Sequence, residues 1–131
     1  MKHFTIKELC SSSTADIKKI DNNPSNEVVK RLTSLVDNVL DPLREWYQAP
    51  IFVNSGYRCS KLNKEVRGAY NSQHMRGEAA DITTRSKSGN RLLFQYIKES
   101  LPFDQLIWEH GGIWIHVSYK EDGNRKQILD I

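Results

Sequence analysis

Cysteine is scarce in this chain: Cys10 and Cys59 are far apart and share no C-x-x-C spacing, which excludes a zinc knuckle and a disulfide framework. Both are read as free thiols, with a disulfide open only if the protein reaches an oxidising space. Long apolar runs are also missing, so no membrane span is expected. The opening "MKHFTIKELCSSSTAD" has neither an h-region nor a cleavage pattern, and synthesis and folding in the cytoplasm without a signal peptide are therefore expected, whatever the final site of action. There is no internal repeat, low-complexity tract or long linker, so residues 1–131 read as a single domain. Charge of one sign is lacking as well. The 19 Lys and Arg are dispersed among 16 Asp and Glu for a net charge of +3, and no basic stripe tracks a phosphate backbone. Nucleic acid is not an expected partner, and a monomer is expected.

What is present suits a folded, soluble domain. Hydrophobic content is 38% and charged content 27% over 131 residues, and a chain of this length buries roughly two-thirds of its unfolded surface. After an N-terminal arm, "NNPSNEVVKRLTSLVDNVLDPLREWY" sets Val28, Leu32, Leu35, Val36, Val39, Leu40 and Leu43 at helical spacing, with Asn23, Pro24 and Ser25 as start signals. Pro42 is expected to break or kink that helix, and Asp41 to cap a separate one carrying Trp46. "PIFVNSGYR" reads as a short strand and "NKEVRGAY" as a helical turn closed by Gly68. "AADIT" reads as a second strand. "GNRLLFQYIKESL" is a further amphipathic helix presenting Leu92, Leu93, Tyr96, Ile97 and Leu101, and "DQLIWEHGGIWIHVSY" is a hairpin turning at Gly111 and Gly112. The expected fold class is α+β, a small antiparallel sheet packed with amphipathic helices.

Strand alternation then sorts the polar residues. In "IWIHVS", Ile113, Ile115 and Val117 share one face, so Trp114, His116 and Ser118 share the other. In "AADIT", Ala80 and Ile82 point inward while Ala79, Asp81 and Thr83 point away. His74 lies in the loop leading to Asp81 and can bend back to join Asp81 and His116. Two imidazoles and a carboxylate suit zinc and leave a fourth position open, as hydrolysis requires. Periodicity leaves the alternative open: a solvated loop histidine, and an aspartate serving as a turn or cap.

The stretch "SGYRCSKLNKEVRGAYNSQHMRGEAADI", followed by "WIHVS", resembles the zinc D-alanyl-D-alanine carboxypeptidase family, whose signature is Ser-x-His-x-x-Gly-x-Ala-x-Asp and a later Trp-x-His. Ser72, His74, Gly77, Ala79, Asp81, Trp114 and His116 meet it. "FTIKEL" and "VLDPLREWYQAPIFVNSGYR" resemble the compact branch, so the likeness covers nearly the whole chain. It implies a hedgehog-like α+β fold, zinc as cofactor on His74, Asp81 and His116, and peptides of bacterial peptidoglycan as partners. It assigns Arg58 to the substrate carboxylate or scissile carbonyl, consistent with a planar, permanently charged fork. It also makes Ser72 a substrate contact, and Gly77 and Ala79 small residues near the metal. The implied activity is a D-alanyl-D-alanine carboxypeptidase. Alternatives are an endopeptidase of the phage-lysin kind, or a domain that keeps zinc or peptide binding without catalysis. The expected lack of a leader and of a wall-binding domain fits a phage or prophage enzyme, released by another route, at least as well as a housekeeping periplasmic one.

The resemblance places a catalytic base shortly before the last ligand, where Glu109 and His110 both stand. A two-residue turn at Gly111 and Gly112 puts Glu109 opposite Trp114 on the His116 face, whereas a three-residue turn points it into the core and favours His110. The cost of burying an ionised Glu unpaired favours Glu109. Two departures from the family stand out: Arg67 precedes Gly68 where relatives carry two glycines, and Cys59 stands where serine is common.

Overall fold

A computed structural model describes residues 1–131. The N-terminal arm is two short helices, α1 (Ile6–Cys10) and α2 (Ser13–Lys18), separated by a single capping turn. Each is started by a hydroxyl that satisfies an otherwise orphaned amide: Thr5 accepts from the Glu8 N–H at 3.0 Å and Ser12 from that of Ala15 at 3.1 Å. Ser25 does the same for α3 (Asn26–Leu35) through Val28, as its place in the sequence predicts.

Pro42 does not break the helical run after α3. Val36–Leu40 widens into a π-turn and α4 (Asp41–Tyr47) continues directly from it, the Asp41 N–H reaching back five residues to the Val36 carbonyl. A π-turn absorbs the donor that proline lacks. Asp41 therefore caps no helix of its own. Its buried carboxylate instead accepts the backbone N–H groups of Lys2 (2.6 Å) and His3 (3.0 Å), tying the chain start to the helix.

The sheet contains β1 (Phe52–Ser55), β2 (Ala79–Thr83), β3 (Gln105–Glu109), β4 (Trp114–Ser118) and β5 (Gln127–Asp130) in the order β1-β2-β4-β3-β5. The sheet is mostly antiparallel, as expected, and β5, which the sequence did not announce, runs parallel to β3 with Gln105 opposite Gln127. The pair α5 (Ser60–Glu65) and β1 is close to expectation, but Gly68 does not close the helical turn: Arg67 takes the left-handed conformation (φ 56°) that a glycine would adopt without strain. Gly68 is required instead for space, because a Cβ there would strike the Asn63 side chain.

A core of 19 residues lies between one face of the sheet and the helices, with Leu9, Leu32, Leu35, Leu40, Leu43, Leu93 and Ile97 meeting Ala80, Ile82, Leu106, Ile115 and Val117. Of the expected stripe on α6 (Lys87–Ser100), Leu93, Ile97 and Leu101 are buried, but Leu92 is exposed. Ile113 is likewise exposed, because it belongs to the turn and not to β4. With the helices occupying the core face, the opposite face of β2, β4 and β3 is left for polar side chains.

Asn90 couples the helix layer to the β3–β4 turn. Fully buried on α6, it donates to the carbonyls of Gly112 (2.8 Å) and Ile113 (3.1 Å) and accepts from the Thr84 N–H at 2.7 Å. Asn90→Ala leaves these buried groups unsatisfied, and the expected loss is about 2–4 kcal/mol in urea denaturation, with unchanged m.

Candidate metal centre

Asp81 and His116 are direct partners in the β2–β4 ladder, so period-2 alternation sends both side chains to the same face. His74 arrives from the other side on a single 3-10 turn, Gln73–Arg76. That turn is opened by Ser72, whose Oγ accepts from the His74 N–H at 3.1 Å, and closed by Gly77 at φ 78°. A Cβ on Gly77 would come within 2.9 Å of the Val28 carbonyl oxygen. Gly77 is thus required where the turn abuts α3, in place of the expected role as a small residue beside the metal.

His74 Nε2 lies 3.3 Å and His116 Nδ1 3.1 Å from the same oxygen, Oδ1 of Asp81, and the three ligand atoms all fall within 4.8 Å of one another. The tautomer of His74 follows from its other nitrogen. Nδ1 sits 2.7 Å from the Gly56 carbonyl and must donate to it, which turns the Nε2 lone pair toward Asp81. Two acceptors facing each other at 3.3 Å repel unless a cation or proton lies between them. The donor set of two nitrogens and one carboxylate oxygen suits zinc, and three ligands leave one position open. Burial alone would raise the Asp81 pKa, but the two imidazoles beside it, His116 before His74, lower it and hold it well below the ordinary carboxylate range.

The trio lines a cleft of about 520 Å³ whose wall also includes Arg58, Ser72, Glu109 and Trp114. Arg58 is held by neutral oxygens only: Nε by Asn63 (3.1 Å), Nη1 by Ser55 (3.0 Å) and Nη2, at the limit of bonding, by Ser72 (3.5 Å). No salt bridge engages it. Burial lowers its pKa, and the Asp81 charge counters that. Glu109 pairs with Trp114 in the register of the two-glycine turn, although His110–Gly112 coil into a left-handed turn with φ of 48°, 68° and 91°. Its pKa is raised by burial and by Asp81, against the pull of His116, His110 and His74. His110 is exposed, rests its ring on Trp114 at 4.6 Å and does not line the cleft.

The polar residues that position this site were not evident in the sequence. Gly56 approaches α1 so closely that a Cβ would strike the Leu9 carbonyl, and the adjoining amides of Tyr57 and Arg58 bond Leu9 (2.7 Å) and His74 (3.0 Å). Cys59 is a free thiol whose Sγ caps α5 from 3.4 Å, which accounts for a place that serine also fills.

Two imidazoles and a carboxylate on the polar face of an α+β sheet, open to a cleft, define a zinc hydrolase site. Residues 2–118 match the family model described as Peptidase M15, and the chain belongs to that family of zinc metallopeptidases. Zinc is the cofactor of these enzymes, and His74, Asp81 and His116 are positioned to bind it. No curated protein matches the chain.

Metal analysis of protein dialysed against zinc should find one equivalent per chain, and Asp81→Ala or His116→Ala should reduce this to a small fraction. Chelation should lower the melting temperature by several degrees, since zinc at a thousandfold its dissociation constant contributes about 4 kcal/mol to the folded state. Equal melting temperatures with zinc and with chelator would contradict a site of this kind.

Proposed function

We propose that this M15 peptidase is a carboxypeptidase of peptidoglycan stem peptides, removing the terminal D-alanine from a D-alanyl-D-alanine end. The observation that carries the reading is Arg58: a half-buried guanidinium beside the metal trio, fixed by neutral oxygens and paired with no carboxylate. Three of its five N–H groups are engaged, and the remaining two suit an incoming carboxylate. A chain-terminal substrate supplies that anion beside the scissile bond.

When bound, zinc supplies Lewis acidity, which makes water a competent nucleophile near neutral pH and polarises a carbonyl. Glu109 Oε accepts the proton of the attacking water and delivers it to the leaving amine nitrogen. Its raised pKa makes the carboxylate a stronger proton acceptor and lets the carboxyl hold that proton until the leaving nitrogen takes it. Ser72, whose oxygen is committed to the His74 amide, keeps its O–H free to donate to a substrate carbonyl. Arg58 orients the terminal carboxylate, so the scissile bond is held in register with Glu109. A purely zinc- or peptide-binding domain could use Arg58 but has no need of Glu109 on the same cleft wall.

Digestion of purified muropeptides, followed by mass spectrometry with and without chelator, tests the assignment. The expected product is loss of one terminal D-alanine; internal cuts would assign an endopeptidase, and the lack of any chelator-sensitive product would refute peptidase action. Glu109→Gln should retain zinc while lowering kcat by about 10²–10⁴. Glu109 must be ionised to act, so activity should rise with pH through its folded pKa. That acidic limb should vanish in Glu109→Gln. Arg58→Ala should chiefly raise KM for carboxylate-ended substrates, and amidating the substrate C-terminus should mimic the variant.

A further inference from the structure

Beyond the family match, which ends at residue 118, the chain returns to the cleft. Residues 119–126 lead into β5, and Arg125 stands on the cleft wall beside Gln105 and Ile107. In sheet order Asp81 and His116 lie on β2 and β4, Arg58 follows β1 on one side, and Arg125 precedes β5 on the other.

Arg125 is not a loose surface cation. Asp104 has no exposed surface, and its carboxylate takes Nη2 at 2.7 Å, Nε at 3.1 Å and the Arg125 backbone N–H at 2.9 Å. The Gln127 amide bonds the Asp104 carbonyl at 2.9 Å, and the Gln105 and Gln127 side chains join at 2.7 Å. One edge of the guanidinium is therefore fixed on a buried anchor. The side chain is nonetheless 53% exposed, and Nη1 has no protein partner. Donors held this way lose little freedom when they meet an anion.

We infer that Arg125 is a specificity residue that binds a second free carboxylate of the substrate, on the acyl side of the scissile bond, opposite the end held by Arg58. The inference rests on the peptidase reading. Leu129 is the β5 residue level with His116, two strand spacings or on the order of 10 Å away, and Arg125 lies four residues before it, its side chain reaching back to the cleft wall. An extended peptide advances about 3.3–3.6 Å per residue, so the carboxylate would sit about three residues before the scissile bond. The substrate class is an acidic stem peptide, as distinct from one whose carboxyl groups are amidated.

The test uses the zinc-loaded full chain and two synthetic peptides ending in D-alanyl-D-alanine. They are identical except for a free carboxylate or its carboxamide on the residue two or three places before the scissile bond. Wild type should prefer the carboxylate peptide by about tenfold or more in kcat/KM, through KM, as expected for a charge-assisted pair. In Arg125→Gln that ratio should fall toward one, and Arg125→Lys should restore part of it; loss of folding alone would lower both rates and leave the ratio. If Arg125→Gln does not fold, the wild-type ratio decides, and a value near one overturns the inference. Equal cleavage of both peptides overturns this inference alone. Cleavage of neither overturns the peptidase reading and the inference with it.

Discussion

The metal centre depends on one register, Asp81 opposite His116 in the β2–β4 ladder. A slip of one residue would carry Asp81 into the apolar core and turn Ala80 or Ile82 toward the cleft. Both errors are costly, because an unpaired buried carboxylate and an exposed isoleucine are each penalised. The register is held from the core side by the burial of Ala80, Ile82, Ile115 and Val117. It is held at one end by Asn90, which bonds both Thr84 after β2 and the turn before β4. At the other end, the Tyr119 amide just after β4 bonds the Glu78 carbonyl just before β2 at 2.9 Å. The chemistry on one face is thus positioned by the packing of the other.

His74 is outside that ladder and is positioned by the N-terminal helices. The Leu9 carbonyl at the end of α1 takes the Tyr57 amide, which holds the Gly56 carbonyl where it orients the His74 ring. Asn22 reinforces the same segment by donating to the carbonyls of Cys10 (2.9 Å) and Tyr57 (3.0 Å) while accepting from the Cys59 amide (2.8 Å). Substituting Gly56 would act on the metal through this relay, since its Cβ would displace α1 or the carbonyl. The outer partners of a metal ligand are commonly as constrained as the ligand itself.

Periodicity read from the sequence located α3, α6, β2 and β4, because each buries a stripe or alternates between a core face and a polar one. It passed over α1 and α2, which are five and six residues long and owe their form to the Thr5 and Ser12 caps and to docking. The Thr-x-x-Glu pattern at Thr5 and Glu8 was the available signal. β5 escaped because it is an edge strand with exposed residues and no alternation to read. Among the site residues, Asp81 and His116 follow from alternation and His74 from its place in the loop before Asp81, whereas Arg58 and Ser72 needed the resemblance. Gly56, Asn63, Asn90 and Asp104 act by hydrogen bonds between distant segments, for which a single sequence carries no period or spacing.

The two cleft arginines show how one side-chain type serves different ends. Arg58 is partly desolvated and its partners are uncharged, so its full charge remains available, and in a site of low effective dielectric that charge favours anion binding strongly. Arg125 is exposed and already paired with a carboxylate, so part of its charge is offset and its pull on anions is weaker than that of Arg58. What remains is direction: donors aimed from a fixed plane. Such a group adds less to overall attraction than Arg58 but favours a charged acceptor over a neutral one where its donors point. Removing Arg58 should therefore weaken binding of every carboxylate-ended peptide, whereas removing Arg125 should alter the choice among them.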